Sequence, residues 1–130
     1  MDFSCRHCLS LPGCQVTAVA LTANASSLYT GCLDGIVRVY DLRRPTEVQM
    51  ELEGHQDMVT GIALHPDGSH LLSNGSDNTI RCWDVKPFCE GDRCEKVFLG
   101  AQHNYEKMLI KCNWSKSGKQ IGAGSADNFV

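Results

Sequence analysis

An internal repeat constrains this chain more than any other feature. Residues 16–41 and 59–84 align without a gap: Val16 falls on Val59, Asp34 on Asp77 and Asp41 on Asp84, each pair 43 positions apart. The unit reads as three short runs, 16–21, 28–31 and 36–40 in the first copy, separated by turn-forming residues at 23–26 and at Asp34-Gly35. Alternation of apolar and polar residues puts every second side chain on one face of a strand, and Gly, Asp and Asn supply the tight reversals between strands. A third copy runs from Leu109 to Val130, set 50 positions from the second (Gly68 to Gly118, Asp77 to Asp127). The seven extra residues lie between Asp84 and Leu109, so the segment 86–107 is expected to carry a surface insertion.

The middle copy is the most complete. Its residues 71–85, LLSNGSDNTIRCWDV, form a hairpin pattern around a polar turn at 74–78, with Gly54-His55 upstream and Trp83-Asp84 at the end. Repeats of about 40–45 residues, four strands each, with a Gly-His and a Trp-Asp at set places, mark propeller blades. The chain thus resembles the WD-repeat β-propeller family. The expected class is all-β, about three blades with the last incomplete, against the roughly four to eight that close a ring. The divisions are a lead-in at 1–14, possible disorder included, a blade at 15–44, a complete blade at 45–86, and a truncated blade with an inserted loop at 87–130. Stacked columns supply the faces between blades: Val19, Ile62 and Cys112; Leu21, Leu64 and Trp114; Val37, Ile80 and Val130.

In blades of this kind four polar residues form a buried hydrogen-bond chain, here His55, Ser73, Asp77 and Trp83. The indole N–H meets the serine hydroxyl, the serine meets the histidine, and the histidine meets the turn aspartate; buried together, they must be satisfied together. A Ser-His-Asp hydrolase is the competing reading of three of them. It lacks a nucleophile elbow, and the aspartate recurs at 34 and 127, as a structural element would. The neighbouring copies keep only part of the set. The first has Thr30 and Asp34, with Tyr40 for Trp and Pro12 for His; the third has Asp127 and a nearby His103, with Ala123 in place of the hydroxyl.

Composition narrows the partners. A formal charge of −3, a pI near 5.9 and no basic stripe remove the electrostatic footprint of a direct nucleic-acid binder and favour protein partners. No apolar run approaches the roughly 18 residues of a membrane helix. Residues 1–13 contain Asp2, Arg6 and His7 where a secretory leader needs an unbroken apolar stretch, so the cytosol or nucleus is expected and no membrane partner is. The eight cysteines read as reduced thiols in such a compartment. Cys5 and Cys8 have C-x-x-C spacing and Cys89 and Cys94 have C-x4-C spacing, each at best half a metal site, so neither metal nor cofactor is expected.

Two segments suggest docking. Tyr40-Asp41-Leu42-Arg43 resembles the box by which some WD-repeat proteins bind cullin-RING ligase adaptors; the simpler reading of Arg43 is a solvated blade end. The long connection at 103–107, with Asn104, Tyr105 and Lys107, suits either a solvated loop or a partner-binding one. Lys86-Pro87-Phe88 and His103-Asn104-Tyr105-Glu106-Lys107 are not general blade features. With residues 15–130 as a whole, they resemble the WD-repeat proteins of the spliceosomal U5 small nuclear ribonucleoprotein. That resemblance implies a non-catalytic, nuclear, seven-bladed docking platform in pre-mRNA splicing. Its partners would be spliceosomal proteins, chiefly the large U5 scaffold protein, with RNA met only through neighbours. The alternative is a substrate receptor of a cullin-RING ubiquitin ligase or another WD adaptor. Outer blades without neighbours are expected to leave Val37, Val39, Phe129 and Val130 near open edges and to favour self-association.

Overall fold

The computed structural model describes residues 8, 13–103 and 109–127. Among these residues there is no helix, and the strands build three antiparallel sheets. The first sheet orders β1 (Val16–Leu21), β2 (Ser27–Cys32), β3 (Val37–Asp41) and β4 (Val48–Leu52) side by side. The second repeats that order with β5 (Val59–Leu64), β6 (His70–Gly75), β7 (Thr79–Asp84) and β8 (Cys94–Leu99). The third contains β9 (Cys112–Trp114) and β10 (Ile121–Ala123).

The repeat governs detail as well as order. Pairing slips between Val16 and Ala18 in the first sheet and between Val59 and Gly61 in the second, and again between Val39 and Tyr40 and between Cys82 and Trp83. Irregularities at matching places bend and twist the two sheets alike, which lets them nest. Each β2–β3 type turn needs one residue with positive φ. Gly35 fills that place in the first sheet (φ 83°) and Asn78 in the second (φ 64°), a conformation that glycine and asparagine tolerate best.

The fourth strand of each sheet comes from beyond the aspartate that closes each copy. Sheets and sequence copies are therefore out of phase: after β4, the link 53–58 carries the chain from the outer edge of the first sheet to the inner strand of the second. The segment 86–107 is correspondingly more than an inserted loop, since β8 occupies its middle. Part of its extra length lies in the link 85–93, which matches the shorter 42–47, and in the strand itself, one residue longer than β4.

The inner strands stand side by side, β1 along β5 and β5 along β9. A threonine bridges each gap. Thr17 Oγ1 lies at hydrogen-bond distance from Gly31 O, 3.0 Å away in its own sheet, and from Val59 O in the next; Thr60 Oγ1 sits likewise 3.1 Å from Asn74 O and 2.9 Å from Ile110 O. Apolar side chains fill the space between sheets. Tyr29, Val37, Val39 and Leu52 meet Val59, Leu71, Trp83 and Val85 in one core, and Ala63, Leu72, Ile80, Cys82 and Cys112 form the other. Adjacent residues Leu71 and Leu72 thus enter different cores, as alternation along a strand requires.

This packing corrects one expectation. Val37 and Val39 do not lie near an open edge; they are buried against the second sheet. Alternation separates two faces but does not say which neighbour each face meets. The open flank of the first sheet carries Val19 and Leu21 instead, 62% and 54% exposed. Their counterparts Ile62 and Leu64 pack onto the first sheet. Phe129 and Val130 lie outside the described residues.

Candidate functional site

The polar centre of the second sheet is assembled from four pieces of chain. Strand β6 brings Ser73, β7 brings Trp83, the link 53–58 brings His55, and the turn between β6 and β7 brings Asp77. Trp83 Nε1–H donates to Ser73 Oγ at 2.7 Å. Ser73 Oγ lies 2.6 Å from His55 Nε2, and His55 Nδ1 lies 3.1 and 3.2 Å from the two Asp77 carboxylate oxygens. Indole can only donate, so Ser73 accepts from Trp83 and turns its own hydrogen to His55 Nε2. His55 must then carry its proton on Nδ1 and give it to Asp77. The chain runs in one direction, Trp83 to Ser73 to His55 to Asp77.

Its electrostatics follow from burial. Burial lowers the His55 pKa, with the Asp77 carboxylate opposing, so the ring is neutral at pH 7. Burial also opposes ionisation of Asp77, but the Thr79 hydroxyl, the Gln56 N–H and His55 outweigh it and hold the carboxyl below its usual range. Thr79 donates to Asp77 twice, from Oγ1 at 2.7 Å and from N at 3.1 Å, and Gln56 N donates at 2.9 Å. Space is as tight as the bonding. A Cβ on Gly75 would stand 2.7 Å from Asp77 Oδ1, and one on Gly54 would stand 3.1 Å from the Trp83 ring. Thr79 and Gly75 were not singled out from sequence; the signal was the small and hydroxylated residues flanking the aspartate within the same turn.

The flanking copies do other things with the same positions. In the first sheet Tyr40 and Thr30 are buried, but Thr30 Oγ1 donates to Arg38 O at 3.3 Å, and Asp34 accepts from Arg38 NH2 at 2.8 Å and from Ile36 N at 3.1 Å. Arg38 Nε reaches Glu51 at 2.9 Å. In the third copy Ser125 Oγ donates to Asp127 at 2.5 Å, while His103 N donates to Asn78 Oδ1 at 2.7 Å and His103 Nε2 lies 3.4 Å from Thr60 Oγ1.

Of the remaining candidate residues, Arg43 stands on the link 42–47 with its side chain 81% exposed. Its guanidinium holds Asp41 through Nε at 2.9 Å and NH2 at 2.6 Å, and these bonds bring the Asp41 pKa down to about 2. Asn104, Tyr105 and Lys107 lie outside the described residues, as does Cys5; Cys8 is exposed. Among the described residues no group of three or more His, Cys, Asp or Glu side chains could hold a metal ion. No helix among them is long and apolar enough to cross a membrane.

Comparison with known proteins places this geometry in a family. The family model for the WD domain, G-beta repeat, matches residues 3–41 and 46–84. Its first match begins inside the segment 1–14. The chain is 47% identical over 116 residues to the human U5 small nuclear ribonucleoprotein 40 kDa protein, covering 89% of this chain and 32% of that protein. It is 41% identical over 115 residues to the pre-mRNA-splicing factor cwf17 of Schizosaccharomyces pombe, covering 88% and 34%. Drosophila melanogaster protein groucho is 29% identical over 119 residues, covering 92% and 15%. The chain spans about a third of the length of the U5 and cwf17 relatives. With two repeats matched in sequence, two four-stranded sheets repeating at the same interval and a third begun, the chain belongs to the WD40-repeat family.

Proposed function

We propose that the chain acts in pre-mRNA splicing as a non-catalytic protein-docking scaffold of the U5 small nuclear ribonucleoprotein, in the nucleus. The observation that carries this reading is the 47% identity over 116 residues to the human U5 40 kDa protein, joined by the likeness to cwf17. These relatives favour splicing over the ubiquitin-ligase reading of Arg43.

A scaffold role rather than catalysis is supported by how Ser73 is used. Its hydroxyl is wholly buried, accepts the Trp83 indole and is committed to His55, so no substrate carbonyl can approach it. The four residues His55, Ser73, Asp77 and Trp83 act as an internal brace of the second sheet. Partner contacts are assigned to Asn104, Tyr105 and Lys107, which fall between β8 and β9 in the sequence, and to Arg43 on the link between β3 and β4. The chief partner is the large U5 scaffold protein, and RNA is met through neighbouring proteins, in keeping with the net charge of −3.

An isolated chain of 130 residues should in addition self-associate through the flank that carries Val19 and Leu21. Affinity purification from nuclear extract followed by mass spectrometry tests the main reading. Recovery of U5 proteins supports it, and recovery of a cullin adaptor without them refutes it. Changing Tyr105 and Lys107 to alanine should weaken that recovery and leave the thermal midpoint nearly unchanged.

A further inference from the structure

Phe88 is out of keeping with the rest of the second sheet. It stands on the link 85–93 between β7 and β8 with 94% of its surface exposed, the largest exposure of any bulky apolar side chain among the described residues. An exposed phenyl ring on a floppy loop would be unremarkable, but this link is built. Arg93 turns its guanidinium back onto the loop, and NH1 donates to Lys86 O at 2.7 Å and to Asp84 O at 3.2 Å, while NH2 reaches Pro87 O at 3.4 Å. Asp84 Oδ1 accepts from Lys86 N at 2.9 Å, Asp92 Oδ1 accepts from Cys94 N at 3.0 Å, and Asp84 N donates to Arg93 O at 2.8 Å. A charged side chain thus gathers the carbonyls of Asp84, Lys86 and Pro87, and proline itself fixes one further dihedral angle immediately before Phe88.

The matching link of the first sheet, 42–47, carries no aromatic residue: its sequence is LRRPTE. Phe88 therefore does not follow from blade architecture, and it fills neither of the two cores. Holding an aromatic ring in water on a pre-ordered loop lowers the entropy cost of docking it, which is how interface anchors work.

We propose that Phe88 is a docking knob that inserts into an apolar pocket of a protein partner whose rim is basic. Charge selects that partner. Glu90 and Asp92, two and four residues after Phe88 on the same link, are both exposed, and Lys86 is drawn to Asp84 at 3.5 Å, so the exposed part of the link carries more carboxylate than cationic charge. Those carboxylates repel phosphate, which disfavours base stacking on RNA or insertion into an anionic lipid surface, and they match lysine or arginine at a pocket's edge. The inference rests on the scaffold reading above and adds a second contact to it, on a different segment from Asn104, Tyr105 and Lys107.

The test measures binding of the 130-residue chain to the purified large U5 scaffold protein by calorimetry, beside Phe88→Ser, Phe88→Leu, Arg93→Ala and Glu90→Lys chains. Phe88→Ser should weaken binding by about tenfold or more, as loss of a buried anchor does. Phe88→Leu should retain most of it, Arg93→Ala should fall between them, and Glu90→Lys should weaken it in a manner that added salt reduces. Circular dichroism melts of the Phe88 and Glu90 variants should coincide with that of the parent, because Phe88 supports no core, whereas Arg93→Ala, which loses the bonds to the Asp84, Lys86 and Pro87 carbonyls, should melt slightly lower. Binding by the parent chain that Phe88→Ser leaves unchanged overturns this inference and leaves the scaffold reading standing. No binding by the parent chain overturns both. Loss of affinity for protein-free U5 RNA instead of for the protein would mean that the ring stacks on bases, and would also overturn it.

Discussion

The first and second sheets share strand order, turn positions and irregularities, yet they hold themselves together by different chemistry. In the second sheet a buried line of hydrogen bonds runs from Trp83 through Ser73 and His55 to Asp77. In the first, tyrosine stands for the tryptophan, threonine for the serine, and Pro12 aligns with the histidine. Asp34 is then free to bind Arg38, which also holds Glu51. Arg81 occupies the place of Arg38 but has no such partners among the described residues: Asp77 is taken by His55 and Thr79, and Cys94 accepts only a weak bond from NH1 at 3.7 Å. One fold accepts either an internal brace or a half-exposed ion cluster at the same positions. The two differ in how they should respond to mutation, acid and salt.

The largest difference should come from Trp83. Trp83→Ala removes a fully buried ring at roughly 3–5 kcal/mol and leaves the Ser73 hydroxyl oxygen without its donor for about 1–3 kcal/mol more. A domain has only about 5–15 kcal/mol to lose, so the chain should unfold, which thermal melting followed by circular dichroism would show. Retention of the parent midpoint within a degree or two would mean that the brace is decorative.

Acid should separate the two sheets next. The folded-state pKa of His55 lies below its ordinary 6.5, so the unfolded chain takes up a proton that the folded one resists. Its stabilising effect is complete above about pH 6.5 and is lost as the pH falls toward the folded value. The Asp77 contribution, with a pKa lowered from 3.8, is lost only at more acid pH, as is that of Asp34 in the first sheet. Between pH 7 and 5 the amides of β6 and β7 should therefore lose protection relative to those of β2 and β3. A His55→Asn chain should lack that relative loss.

Salt should act the other way, and more weakly. Asp34 and Glu51 are both partly solvated, so Arg38→Met should cost about 1 kcal/mol or less, and 1 M NaCl should shrink the difference between the two proteins. The same salt should leave the effect of Ser73→Ala unchanged, because that bond is out of reach of ions. Urea midpoints of the two pairs of proteins check both statements.

The sequence was legible where a residue type admits few uses. Trp83, with a donor that must be satisfied if buried, and the recurring turn aspartates marked the second sheet's brace and the repeat. Gly35 and Asn78 marked the reversals. The outer strands were not legible: β4, VQMEL, follows a link with no glycine, β8, CEKVFL, follows a nine-residue link whose one Gly91-Asp92 turn does not mark a two-residue hairpin, and each strand has one unpaired edge with charged residues, so their patterns resemble solvated connections. The partner of Asp34 was hidden too, because an aspartate in a turn reads the same whether a histidine or an arginine reaches it. Val37 and Val39 show a third limit, since alternation gives two faces and only the assembled sheets say which one is covered.

Hydrogen exchange measured residue by residue on the intact chain at neutral pH tests most directly the claim that the second sheet is the braced one. Amides of β6 and β7 should exchange slowest, and those of β2 and β3 should be measurably faster. Equal or greater protection in β2 and β3 would contradict the account, because the Arg38 cluster and apolar packing would then suffice without a buried brace.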